Sequence, residues 1–132
     1  MYLVDTNVWL ERLLAQDRAE EVGQFLGRIP SENLLITDFS FHSIGVVLTR
    51  RNQPEILLPF VQDVFIDGSV RLVNLEPQDI ANIVAAINEY NLDFDDAYQY
   101  VAAQRHGLII VSFDGDFDRT PEGRRTPAEI LP

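Results

Sequence analysis

The sequence predicts one α/β domain over residues 1–132, in which a parallel sheet lies between two layers of helices. Short, continuously apolar segments, typical of strands buried on both faces, alternate with longer segments whose apolar residues recur at helical spacing. Parallel strands require crossover helices, and such helices cover both faces of the sheet. The chain is long enough for one sizeable core and too short for two domains.

Four apolar segments are the predicted strands, because each is short and is followed by residues that can begin a helix or a loop. In chain order they are 1–4, 34–36, 70–75 and 108–111.

Helical periodicity fills the intervals between these strands, and capping residues mark the helix ends. Aspartate is favoured just before a helix, proline at its first position and glycine just after its last. Six helices are predicted. The first begins after Asp5, the second ends before Pro30 and the third covers 39–51. The fourth lies between Pro54 and Gly68, the fifth begins at Pro77 and the sixth extends from Phe94 to Gly107. A polar tail that ends with 127–132 follows the last strand.

Composition limits the possible chemistry and location. The absence of cysteine excludes disulfides, thiolate metal sites and cysteine nucleophiles, so a metal would be held by oxygen or imidazole ligands, which favours Mg²⁺ or Mn²⁺. No apolar run approaches the ~20 residues that a membrane span requires. We therefore expect a cytoplasmic protein with no membrane partner.

The charge balance opposes binding to a polyanion. The chain has 21 acidic and 10 basic residues, a formal charge of −11, and all ten basic residues are arginine. A nucleic acid would have to be attracted by local arginines and by metal ions in an acidic site. The candidates are Arg50, Arg51, Arg119, Arg124 and Arg125, although a solvated surface charge is the simpler explanation for each.

Acidic residues follow three of the four predicted strands. Asp5 follows the first, Asp38 the second, and Asp114 and Asp116 the last. Ligands of open parallel sheets bind beyond the carboxyl ends of the strands, and Asp96 could join these acids from the first turn of its helix. Clustered carboxylates repel one another unless a cation lies among them. The pattern predicts a divalent metal site able to activate water and to stabilise charge on a phosphodiester.

Each acid also has a purely structural explanation. Asp5 and Asp38 can cap the helices that follow them, and Asp96 can favour the first turn of a helix capped by Asp93. Asp114 precedes a glycine, as in many turns. The shared position at one sheet edge is what favours the metal site.

Two other classes of site are excluded. The segment 114–118 resembles the start of a calcium-binding loop, but Arg119 stands where that loop needs glycine and Arg125 where it needs glutamate. Receiver domains and haloacid-dehalogenase-like phosphatases also place an aspartate after a parallel strand, but they rely on a lysine that this chain lacks.

The chain resembles the PIN-domain family, in particular the small prokaryotic ribonucleases known as VapC-type toxins. The resemblance rests on Val4–Asn7 at the amino terminus, Asp96–Ala97 at the start of a late helix and Ser112–Phe117 after the last strand. It implies a three-layer α/β/α domain with a central parallel sheet, Mg²⁺- or Mn²⁺-dependent cleavage of RNA, a homodimer and inhibition by a cognate antitoxin.

The resemblance also implies roles for individual residues. Asp5, Asp96 and Asp114 fall on the family's metal-binding acids, and Asp116 on its accessory acid. The polar positions near them carry Asn7 and Ser112.

One position departs from the family pattern. The family's glutamate, six residues after a small hydroxyl residue at the end of the second strand, aligns with Ser43, counted from Thr37. Serine cannot replace this charge. Asp38 could compensate as a carboxylate and His42 as an imidazole ligand, although a packed or exposed helix residue is the simpler explanation for His42. The alternative function is therefore a degenerate PIN-like domain that acts through protein binding.

Overall fold

The computed structural model describes residues 1–130, so Leu131 and Pro132, at the end of the predicted tail, lie outside the described residues. Its four strands are β1 (Tyr2–Val4), β2 (Leu34–Thr37), β3 (Arg71–Val73) and β4 (Ile109–Val111). They form one sheet in the order β3-β2-β1-β4, and all neighbours are parallel. The predicted parallel sheet is confirmed.

Helices connect and cover these strands. Seven α-helices are present in residues 1–130: α1 (Thr6–Leu13), α2 (Ala19–Arg28), α3 (Asp38–Arg50), α4 (Leu57–Val61), α5 (Ile80–Tyr90), α6 (Phe94–His106) and α7 (Pro127–Ile130). Shorter 3-10 turns occupy Ser31–Asn33, Pro54–Ile56, Pro77–Asp79 and Gly115–Arg119, and a π-helical turn occupies Gln62–Ile66. None of the helices described is long and apolar enough to cross a membrane.

Two apolar cores, one on each face of the sheet, confirm the three-layer arrangement. Alternate strand residues point to opposite faces, so Leu3, Leu35 and Ile110 pack against α5 and α6. Their neighbours Val4, Ile36 and Val111 belong to a second core with α1 to α4. The sheet is thus buried on both faces, which explains why its strands are continuously apolar.

Three segments differ from the sequence-based expectation. The predicted helix between Pro54 and Gly68 is a five-residue α-helix flanked by 3-10 and π-helical turns. The third strand is shorter than 70–75 because the Leu75 amide donates to the Tyr98 hydroxyl instead of to the sheet.

The polar tail is the third of these segments, because it forms backbone hydrogen bonds and a short helix that the sequence did not predict. The Ser112 amide donates to the Arg125 carbonyl, the Arg125 amide donates to the Ile110 carbonyl, and α7 packs against α2. The strand β4 therefore has an additional backbone partner.

The carboxyl edge of the sheet collects the starts of three helices. Asp5 caps α1, Thr37 caps α3 and Asp93 caps α6, each by accepting a hydrogen bond from a backbone amide of the first turn. The positive ends of three helix dipoles therefore face this edge, where they favour negative charge.

Candidate metal centre

Three carboxylates meet at the carboxyl edge of the sheet. One oxygen from each of Asp96, Asp114 and Asp116 lies within 4.8 Å of the others. Asp96 projects from the first turn of α6 and is only 7% exposed, whereas Asp114 and Asp116 follow β4 and are partly exposed. We call these three residues the acid trio. Its donors are all carboxylate oxygens, the type that hard divalent cations such as Mg²⁺ and Mn²⁺ prefer.

Without a bound cation, the buried member of the trio, Asp96, favours its protonated form. Burial raises the pKa of Asp96 to about 8, with further contributions from the charge of Asp114, from a hydrogen bond to Asp114, and from the charges of Asp93 and Asp5. Its Oδ2 atom is buried and has no hydrogen-bond partner among residues 1–130. An unpartnered buried carboxylate oxygen is unfavourable, and a cation bound there would satisfy it. The residues present therefore fit a divalent metal.

Asp5 lies beside the trio, and both of its carboxylate oxygens accept hydrogen bonds. Its Oδ1 accepts from the Thr6 amide at 2.8 Å and from Gln99 Nε2 at 2.9 Å, and its Oδ2 accepts from Ser112 Oγ at 2.7 Å. Burial raises the pKa of Asp5, and the charge of Asp114 adds to this rise, while the three hydrogen bonds lower it. Asp5 is thus a buried carboxylate held in one orientation.

Ser112 and Asn7 connect the two strand ends that carry the acids. Ser112 Oγ accepts from the Asp114 amide at 2.9 Å and from Asn7 Nδ2 at 3.3 Å while it donates to Asp5. Asn7 Oδ1 accepts from the Phe113 amide at 3.2 Å. These bonds fix the loop after β4 relative to Asp5.

Gln99 is a central residue of the site that sequence reasoning missed. It is 2% exposed, and its amide donates to Ser40 Oγ at 2.7 Å as well as to Asp5, while its Oε1 accepts from Thr37 Oγ1 at 2.6 Å. The available signal was a polar side chain three residues after Asp96, one helical turn along α6. Gln99 links the ends of β1 and β2 to α6.

Replacement of Gln99 by leucine is expected to destabilise the protein by about 1–3 kcal/mol, because Asp5, Ser40 and Thr37 each lose a buried partner. Urea denaturation measures this difference. Gln24→Leu, the same change at an exposed position of α2 whose side chain forms no hydrogen bond with the rest of residues 1–130, is the matched control. Equal stability of the two variants would show that the Gln99 bonds contribute nothing.

Asp38, His42 and Ser43, the residues at or near the position of the family's glutamate, lie outside the acid trio. The exposed Asp38 carboxylate accepts from the Phe39 amide and, at 2.8 Å, from the Tyr98 hydroxyl. Ser43 is partly buried and forms no side-chain hydrogen bond with the rest of residues 1–130, and His42 is exposed beside a surface groove of α3. The residue of α3 that joins the site network is Ser40, one turn before Ser43.

The candidate arginines are divided between the two edges of the sheet. Arg119 pairs with Asp116 at 3.2 Å, and Arg124 pairs with Asp118 and donates to the Ser112 carbonyl at 3.1 Å. Arg50 and Arg51 follow the far end of α3, which begins at the carboxyl edge and extends roughly 20 Å away from it. These two are therefore not placed to contact a substrate at the acid trio.

Comparison with known proteins places this geometry in a family. The model of the PIN domain family matches residues 2–123. A comparison with curated proteins gives no match. A structure described as a toxin–antitoxin complex from Klebsiella pneumoniae is 27% identical, covers 96% of this chain and 98% of its own, and has a TM-score of 0.74.

Two more distant structures share the fold. FitAcB from Neisseria gonorrhoeae is 18% identical with a TM-score of 0.80, covering 98% of this chain and 100% of its own. Mycobacterium tuberculosis VapC20, described as a sarcin-ricin loop cleaving toxin, is 16% identical with a TM-score of 0.75, covering 89% and 93%. With the family match extending over almost the whole chain, the protein belongs to the PIN-domain family.

Proposed function

We propose that this PIN domain is a metal-dependent ribonuclease and the toxin of a toxin–antitoxin pair. The observation that supports it most is the buried, unpartnered Oδ2 of Asp96 within a cluster of three carboxylates. Such a cluster is unfavourable without a cation, so its presence at the sheet edge favours a role in metal binding over a purely structural role.

Asp96, Asp114 and Asp116 would hold Mg²⁺ or Mn²⁺, with Asp5 beside them. When bound, such an ion activates a water and stabilises the charge that develops on a phosphodiester. The chain's own residues supply orientation: Ser112 and Gln99 fix the Asp5 carboxylate, and Asn7 fixes the loop that carries Asp114. Rigid support of this kind is what precise metal ligands require.

The proposed partners are RNA, a cognate antitoxin and a second copy of the chain. The antitoxin is supported by the likeness to the Klebsiella pneumoniae toxin–antitoxin complex, and the RNA substrate by the likeness to VapC20. We place this RNA substrate in the cytoplasm; local arginines and the bound metal ion would have to attract it against the overall charge of −11.

The test is cleavage of single-stranded RNA with Mn²⁺ and with EDTA. Replacement of Asp114 by asparagine is expected to slow cleavage at least ~100-fold, because a proposed ligand is lost. Asp118→Asn is the matched control, since Asp118 lies in the same turn but is exposed and paired with Arg124. Cleavage should require metal in the wild type and in the control.

The alternative is a degenerate domain that acts only by binding a protein. Ser43 at the glutamate position is the feature that favours it. Such a domain would neither bind Mn²⁺ nor cleave RNA in a manner that depends on Asp114, and this result would replace the ribonuclease proposal.

A further inference from the structure

The guanidinium of Arg18, just before α2, stacks on the ring of Phe113. The distance from Arg18 Cζ to the ring centroid is 4.5 Å, within the range of a cation–π contact. Phe113 lies between Ser112 and Asp114, and its amide donates to Asn7. Arg18 therefore lies against the loop that supplies two members of the acid trio.

Arg18 differs from Arg119 and Arg124, which also lie near this loop, in having its guanidinium donors available. Arg119 donates to Asp116 and to the carbonyls of Tyr90 and Asn91, and Arg124 donates to Asp118 and Ser112. Within residues 1–130, the backbone amide of Arg18 donates to Glu11, whereas its guanidinium donates no hydrogen bond and pairs with no carboxylate. A cation held by an aromatic ring keeps its N–H edge free for an anion.

The position of Arg18 complements that of Asp96. Phe113 packs with the core on the α1–α4 face of the sheet, whereas Asp96 comes from α6 on the opposite face. A polynucleotide that passes over the acid trio from the α6 face of the sheet to the α1–α4 face would therefore come next to Arg18. In a chain with a charge of −11, a free cation at this point is the feature most suited to a phosphate.

We propose that Arg18 binds a backbone phosphate of single-stranded RNA next to the phosphate that is cleaved. Its planar fork can donate two parallel hydrogen bonds to phosphate oxygens, and Phe113 restricts its orientation. Phosphate contacts of this kind position a nucleic acid without reading its sequence. This inference rests on the proposed ribonuclease function and makes Arg18 a substrate-binding residue.

The experiment measures RNA binding in the Asp96→Asn background, so that the result does not depend on cleavage. Fluorescence anisotropy of a labelled single-stranded RNA is recorded with Mg²⁺ over a series of salt concentrations. Arg18→Ala is expected to weaken binding about tenfold and to reduce the magnitude of the salt slope by about 0.7, the value for one phosphate contact of a single strand. Arg18→Lys should keep the slope and recover only part of the affinity, because lysine lacks the planar fork.

Arg28→Ala, an equal charge change at the exposed far end of α2, is the matched control and should alter neither quantity. If Arg18→Ala behaves like Arg28→Ala, or if the protein binds no RNA, the inference is overturned. The first result would leave the ribonuclease proposal intact when the wild type still cleaves in an Asp114-dependent manner. Arg18-dependent binding in this background, together with no cleavage by the wild type, would instead reject catalysis and keep the binding surface.

Discussion

Asparagine in place of Asp96 is expected to reduce RNA cleavage by roughly 10³-fold while raising the melting temperature of the metal-free protein at alkaline pH. The cleavage loss follows because Asp96 carries the buried oxygen that has no partner among the described side chains. The stability gain follows because burial and the charge of Asp114 raise the pKa of Asp96 to about 8, so ionisation of this group is unfavourable in the fold. Initial rates with Mn²⁺ and thermal melts in EDTA measure the two effects.

Asp95→Asn is the control for this prediction. Asp95 is the exposed neighbour of Asp96 in the same turn of α6, so the change has the same effect on the charge near the helix dipole. It should leave cleavage unchanged. Full cleavage by Asp96→Asn would remove Asp96 from the proposed site, and equal losses in both variants would point to a disturbed helix start.

The stability of the metal-free protein is expected to fall as the pH rises from about 4 to about 8. Unfolded Asp96 loses its proton near its ordinary pKa of 3.8, whereas the folded protein keeps it until about 8. Between these values the folded state binds more protons, so stability falls as the pH rises, by at most on the order of 1 kcal/mol for each pH unit. Burial raises the pKa of Asp5 as well, which adds an effect of the same sign. Urea denaturation in EDTA at several pH values measures this slope.

Manganese should reverse this trend in the wild type. Bound metal requires ionised carboxylates, so its affinity increases as the pH rises. A ligand at 100 times its dissociation constant stabilises the folded state by about 2.7 kcal/mol. The Asp96→Asn variant should show a flatter pH profile and a smaller response to Mn²⁺. Stability of the metal-free wild type that increases with pH over this range would contradict the electrostatic account.

The sequence alone was sufficient to predict the three layers of the fold and the sheet edge at which the site lies. Continuous apolar strands alternating with periodic helices require a doubly covered parallel sheet, and parallel strands all end at one edge. Asp5 and Asp114 were therefore predictable neighbours although 109 positions separate their residue numbers. Asp93 as a helix cap, with Asp96 in the turn that follows, was equally predictable because local hydrogen bonding determines it.

The tertiary structure decided which side chains of that edge face one another. Asp38 and Asp116 both follow strands, yet Asp38 is held by Tyr98 while Asp116 joins the trio. The orientation of α6 on the sheet places Gln99 against Asp5, and the packing of α2 beside the loop after β4 places Arg18 on the Phe113 ring. Chain periodicity fixes which residues share a strand end or a helix face, but only the packing of one element on another sets the distance between side chains from different elements.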